Sequence, residues 1–300
     1  MDEMDMILMQ QPSADEGDSP GPRLAKSFSF SPRTRISSDS VSPPSPLKFH
    51  LNTEQAHGGY MMALSRTRIA HFKRLLEIIG IHETSVEDTC NVILSRATTS
   101  KSDDEPRISR QEYEGAVQTI ISRGDQVDDS SRRALEKVMS EIYDVFATAN
   151  GKGRPSAIAI ACGFTVLCQG KKSDKLEYAF EVLDKKKKGR LSKGDMTKYL
   201  QSFLTVLLAV AFSPSLEDDP RVDSLLTMKG ESCERTISTA ARVVKVGAEW
   251  AASLAFRDVG QGSKASMSFD DFADWYTSKG FGDIPWLELI DLRKWVLLVS

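Results

Sequence analysis

The stretch Glu181–Asp195, EVLDKKKKGRLSKGD, joins two segments of helical periodicity, 174–183 and 193–212. From Asp184 to Asp195 it runs twelve residues, with Gly189 sixth and Leu191 eighth, while Lys185, Lys186, Lys187 and Lys188 fill its first half. The same frame returns elsewhere. Phe146, Phe180 and Phe256 each stand four residues before a loop start, at Asn150, Asp184 and Gly260. Seven residues after each start comes Ala157, Leu191 or Met267, and five further on Cys162, Met196 or Phe272, just as Tyr113 follows Ile108 by five. The chain reads as helix, twelve-residue loop, helix four times over, with loops 101–112, 150–161, 184–195 and 260–271.

This repeat resembles the EF-hand superfamily. The run YDVFATANGKG, followed by CGFTVLCQGKKSDKLEYAFEVLDKKKKGRLSKGDMTKYLQSFL, is most similar to the neuronal calcium sensor and calcineurin B-like branch, and the resemblance covers about residues 65–280. It implies an all-α fold of two paired EF-hand lobes, each made of two helix-loop-helix units whose loops join by a β-bridge at the eighth position. The expected division is a disordered tail over 1–58, a first pair with its leading helix over 59–170, and a second pair over 171–283. A 213–235 insertion interrupts the second pair, and a C-terminal apolar helix occupies 284–300.

A calcium loop takes oxygens from positions one, three, five, seven, nine and twelve, with glycine at six. In the third loop those positions hold Asp184, Lys186, Lys188, Arg190, Ser192 and Asp195. Two carboxylates stand against six cations, a formal charge of +4. A dication about 4 Å from one ammonium is opposed by about 2 kcal/mol even in bulk water. The fourth loop retains only Asp271 among its ligand positions, and the second retains no carboxylate and puts Pro155 where the turn glycine belongs. The first keeps Asp103, Glu105 and Glu112 but starts on Lys101 and has Pro106 at position six. The expectation is no cofactor, with low-affinity calcium binding left open at the surviving carboxylates.

Elsewhere the sequence is bland. The net charge of −3 over 300 residues argues against a nucleic-acid partner. Residues 1–58 are rich in Ser and Pro, and Ser31, Ser38, Ser42 and Ser45 lie in kinase-compatible contexts. Cys90, Cys162, Cys168 and Cys233 form no CxxC pair and read as buried reduced thiols, while the four histidines lack metal-ligand spacing. GKGRPS at 151–156 lacks the order of a phosphate-binding loop, and no nucleophile elbow is present, so the chain reads as a binding protein and not an enzyme. The longest apolar run, Tyr199 to Phe212, falls short of the ~18 residues that span a bilayer. A cytoplasmic protein is expected, with nuclear entry through KKKKGR left open.

Leu64 onward shows an amphipathic stripe of Ile69, Phe72, Leu75, Leu76 and Ile79, and Thr84-x-x-Glu87 reads as a capping box. After the third loop, Phe203, Leu204, Leu207, Leu208 and Phe212 make a helix apolar nearly all round, and Trp286 and Trp295 in the C-terminal segment can cover it. The resemblance implies a regulatory or adaptor protein that holds a partner's amphipathic helix in an apolar groove, independent of calcium. Two alternatives stay open: a genuine calcium sensor, and the regulatory part of a larger enzyme.

Overall fold

Serine hydroxyls open four of the helices. The computed structural model describes residues 47–51, 59–78, 80–99, 105–121, 128–149, 153–213, 216, 226–228, 231–232, 236–260 and 266–290, and these are mostly helical. Helix α1 (Arg66–Ile78) buries Ile69, Phe72, Leu75 and Leu76. It is followed by Gly80, whose φ of 69° is a left-handed conformation that glycine takes without strain. Four helix-loop-helix units follow: α2 (Val86–Leu94) with α3 (Arg110–Ile121), α4 (Asp129–Ala149) with α5 (Ala157–Phe164), α6 (Lys172–Leu183) with α7 (Lys193–Phe212), and α8 (Ile237–Gly260) with α9 (Phe269–Trp275). Ser85, Ser156, Ser192 and Ser268 cap α2, α5, α7 and α9, each accepting the amide three residues on. The cap of α2 is therefore Ser85 and not Thr84, whose hydroxyl donates to the Gly80 carbonyl.

Helix α7 sits at the centre. Phe203, Leu204, Val206, Leu207, Leu208 and Val210 are each 1% exposed or less. A helix apolar on all sides must be covered on all sides, and α7 is packed by α8 foremost, then by α5 and α4. One continuous hydrophobic core runs through all four units. Its aromatic part repeats: Tyr113 meets Tyr143 and Phe164 in the first half, while Tyr199 meets Phe180, Phe203 and Phe272 in the second. The buried tyrosine hydroxyls are satisfied, Tyr113 donating to the Met139 carbonyl at 2.7 Å and Tyr199 to Leu176 at 2.9 Å.

The α5–α7 crossing depends on Gly163. A Cβ there would lie 2.7 Å from the Ser202 carbonyl oxygen and 3.0 Å from both the Phe146 ring and the Val206 methyl. Alanine is the better helix former by about 1 kcal/mol, yet the two helices would have to part. Gly163→Ala is expected to lower stability by roughly 1–3 kcal/mol, the range for overpacking. At Gly194, where a Cβ meets nothing nearer than 3.8 Å, the same change should be neutral or stabilising. Chemical denaturation of the two variants reads both signs.

An all-α chain was expected, and here the structure adds a small sheet. Strands β1 (Leu47–His50), β2 (Tyr60–Leu64), β4 (Leu226–Met228) and β5 (Glu231–Ser232) lie in the order β1-β2-β4-β5, all antiparallel. Strand β1 falls inside the segment read as a disordered tail, and β4 and β5 fall inside the 213–235 insertion. The physical reason is burial. β2 reads YMMAL, with Tyr60, Met62, Ala63 and Leu64 all buried, so no polar alternation marks it as a strand. Apart from Leu51, Ser213 and Leu216, which are buried, the rest of both segments lies outside the described residues, including Ser31, Ser38, Ser42 and Ser45.

After α9 the chain passes through a π-type turn (Tyr276–Gly280) and a short α10 (Phe281–Asp283) to a 3-10 turn, Pro285–Ile290. A continuous helix was expected from 284; the described part is 3-10, and 291–300 with Trp295 lies outside the described residues. Ile284, Trp286, Leu287, Leu289 and Ile290 are all 1% exposed or less, packed against α7 and β1. Glu288 fixes the segment's polar side, accepting from Lys172 at 2.8 Å and from the Tyr276 hydroxyl. Among the described residues no helix is long and apolar enough to cross a membrane.

Candidate functional site: the paired loops

In the second half of the chain, β3 (Arg190–Ser192) pairs antiparallel with β6 (Ser266–Ser268), placing Leu191 opposite Met267. Both are 1% exposed. The loop before β3 is tightly wound. Asp184 accepts the Gly189 amide on its carboxylate at 2.6 Å and the Lys187 amide on its carbonyl at 2.8 Å. Gly189 has φ 63°, and Lys187, at 47°, shares the left-handed region that favours glycine. An aspartate that would face an ion instead organises the loop's own backbone.

The first half pairs in the same way, but one loop is shorter than expected. Ile108 donates its amide to the Pro155 carbonyl at 3.2 Å and Ala157 donates to Pro106 at 2.9 Å. Ile108 therefore stands opposite Pro155, not Ala157. Ser156 caps α5 through the Ala159 amide at 3.2 Å, as Ser192 caps α7 through Asp195 at 3.2 Å. The Ser156 cap comes seven positions after the end of α4 at Ala149, whereas Ser192 comes nine after Leu183. The second loop thus closes two residues early. Gly153, with φ 68°, is its turn glycine, and the expectation that Pro155 replaces that glycine is corrected. The loop is two residues short of the twelve-residue frame through which such a calcium loop takes its oxygens.

The first loop also departs from its expected frame. Helix α2 stops at Leu94, and Thr98 and Arg107 exchange both backbone hydrogen bonds at 2.9 Å. Arg107 then bridges Ser156 on its other side.

Each described carboxylate expected to serve as a ligand has a protein partner. Glu112 accepts the Ser109 amide at 2.7 Å and pairs with Arg154 Nη2 at 3.1 Å. Asp271 completes a capping box with Ser268 and pairs with Arg190 Nη2 at 3.0 Å. Glu105 accepts the Ser156 hydroxyl at 2.8 Å and pairs with Lys185 at 3.3 Å. Asp195 accepts the Ser192 hydroxyl at 2.7 Å. Asp103 lies outside the described residues. Among the described residues no cluster of three or more His, Cys, Asp or Glu is placed to hold a metal.

Two of these pairs share one geometry. Arg154 lies two residues before the capping Ser156, and Arg190 two before the capping Ser192. Each reaches across its β-bridge to the carboxylate three residues after the neighbouring loop's serine: Glu112 after Ser109, and Asp271 after Ser268. A guanidinium joins the loops within each pair. Arg190 adds bonds to the Ser266 hydroxyl and carbonyl, both at 3.0 Å. The sequence carried a signal for this, an arginine at the same offset in both loops, which becomes readable only once the true frame of the second loop is known.

The electrostatics follow. The Ser109 amide and hydroxyl, with Arg154 beyond them, hold the Glu112 carboxyl below its ordinary value of 4.5. Burial pushes Glu105 upward, but the Ser156 hydroxyl, Lys185 and Lys198 together bring it below that value. A carboxyl depressed by folding contributes stability that is present above its unfolded value and lost as pH falls through the folded one. Acidifying from pH 6 through the region below 4.5 should therefore release the Ser109 amide, which hydrogen exchange reads, and Glu112→Gln should remove that pH dependence.

The expected groove residues are core. Phe203, Leu204, Leu207, Leu208 and Trp286 are buried, while Trp295 and the side chain of Phe212 lie outside the described residues. Cys90, Cys162 and Cys168 are buried, and burial pushes their thiols up, Cys168 to about 11. Around the third loop lies an open basin of about 480 Å³, lined by Lys185, Lys186, Lys188 and Arg190 with Asp184, Asp195, Ser192 and Ser266. Compared with known families and curated proteins, the chain matches no family and no curated sequence.

Proposed function

We propose that this chain is an EF-hand-type regulatory or adaptor protein whose paired loops hold their geometry without calcium, and that its ligand is an amphipathic helix of a partner protein. The observation that carries the reading is the arginine-to-carboxylate link across each loop pair, Arg154 to Glu112 and Arg190 to Asp271. A calcium sensor uses the ion to set the angle between paired helices; here side-chain cations sit on the carboxylates that would respond. The two-loop bridges, the serine caps and the turn glycines at Gly153 and Gly189 support descent from such a scaffold.

The surface that would take a partner helix is α7, and Trp286, Leu287, Leu289 and Ile290 lie over it. In this reading the segment after Asp283 acts as a latch that the partner displaces. Calorimetric titration of calcium into the full chain should give no micromolar binding, and recovery of the partner should be the same with and without chelator. Micromolar calcium binding accompanied by a helical rearrangement overturns the reading. Truncation after Asp283 should raise the fluorescence of an apolar dye while far-ultraviolet circular dichroism keeps its helical signal; unchanged dye binding removes the latch.

A further inference from the structure

We infer that the basin around the third loop binds a small polyphosphorylated anion, of the kind an inositol phosphate head group presents. The basin holds about 480 Å³ and brings Lys185, Lys186, Lys188 and Arg190 to one concave surface with the hydroxyls of Ser192 and Ser266, within the size range of sites for small molecules. Two of these cations are committed, Lys185 to Glu105 at 3.3 Å and Arg190 to Asp271 at 3.0 Å. Lys186 and Lys188 are exposed and make no ion pair among the described residues. Asp184 and Asp195 also line the basin, Asp184 accepting the Gly189 amide at 2.6 Å and Asp195 the Ser192 hydroxyl at 2.7 Å, and neither forms an ion pair with Lys186 or Lys188 among the described residues.

The loop from Asp184 to Asp195 carries six cations, Lys187 and Lys193 standing outside the basin's lining; against Asp184, Asp195 and the ion-pair partners Glu105 and Asp271 they leave a formal surplus of two. That surplus is local, because the whole chain is net −3. A protein adapted to nucleic acid spreads its cations along a face, whereas these converge on a single wound turn. Lys187 sits at φ 47° in that turn, so the loop keeps its curvature with a lysine where glycine is the relaxed choice. The chemistry that answers two ammonium groups free of ion pairs, with the Ser266 hydroxyl proton beside them, is a small body bearing several phosphates.

Such a group comes either free or on a lipid, and two arms separate the sources. The full chain is titrated with inositol trisphosphate by calorimetry, and sedimented with phosphatidylcholine vesicles with and without phosphatidylinositol bisphosphate. Saturable binding of the soluble probe, weakening as salt rises, is expected. Co-sedimentation only with the phosphorylated vesicles then assigns the lipid source, and its absence assigns the free one. The double variant Lys186→Glu with Lys188→Glu should lose at least about tenfold in affinity, because each reversal places a like charge beside the anion. The control, Lys137→Glu with Lys245→Glu on exposed faces of α4 and α8, changes net charge equally and should stay within about twofold. No binding of the soluble probe, vesicle binding alone, or equal loss in the two double variants overturns the site.

Discussion

The quadruple variant Lys186→Asp, Lys187→Gly, Lys188→Asp and Asp195→Glu is expected to bind calcium with a Kd on the order of 10⁻⁵ M, and the parent chain is expected to bind none in that range. The changes are confined to side chains because the backbone of the loop already has the curvature such a site needs. Gly189 turns at φ 63°, Leu191 pairs with Met267, Ser192 caps α7, and Asp184 stands at the first ligand position. Two aspartates supply positions three and five, a glutamate supplies the bidentate ligand at twelve, and the Arg190 carbonyl serves at seven without change. Glycine at 187 relaxes the left-handed position now held by lysine at φ 47°. The loop's formal charge falls from +4 to −1. If the folded variant shows no calcium heat, then Arg190 and Lys185, not the four replaced side chains, exclude the ion. Under either outcome Arg190 stays paired with Asp271, so the fourth loop is not expected to gain affinity.

The parts of this fold that the sequence made legible are those whose spacing is self-contained. Leu191 and Met267 stand at matching distances from Phe180 and Phe256, and they meet in the structure. The second loop was misread because α5 is AIAIACGF, apolar at every position, so that a frame two residues off fits as well as the true one. Only the Ser156 cap and the left-handed Gly153 identify the true frame, and neither depends on hydrophobic period. The sheet escaped because β2 is buried on nearly every residue and pairs with β4, which lies far along the chain. The Arg154–Glu112 and Arg190–Asp271 links were out of reach for a related reason: each joins residues of different loops, and its existence follows from register across a β-bridge. Local rules find caps and stripes, while functional geometry in this chain is set between elements.

Trp286→Ala should lower stability by about 3–5 kcal/mol, the cost of removing a large fully buried aromatic. Trp286 is 0% exposed and belongs to the segment that packs on α7 and β1. Each kcal/mol corresponds to roughly 2–4 °C at this domain size, so thermal unfolding resolves the loss easily. Trp286→Phe separates two reasons for keeping tryptophan there. The indole nitrogen is buried with no hydrogen-bond partner among the described residues, and a buried unsatisfied donor opposes folding by about 1–3 kcal/mol. Phenylalanine removes that donor and part of the volume together, so Trp286→Phe should cost clearly less than Trp286→Ala, relief of the unsatisfied donor offsetting part of the cavity. A cost near that of alanine would mean that the indole's second ring supplies packing that nothing else replaces, and would make the segment a fixed part of the core. A small cost for phenylalanine beside a large one for alanine leaves a segment held by apolar contact and by the Lys172–Glu288 pair at 2.8 Å. Contacts of that kind can be exchanged for those of a partner helix, which is what displacement of the segment from α7 requires.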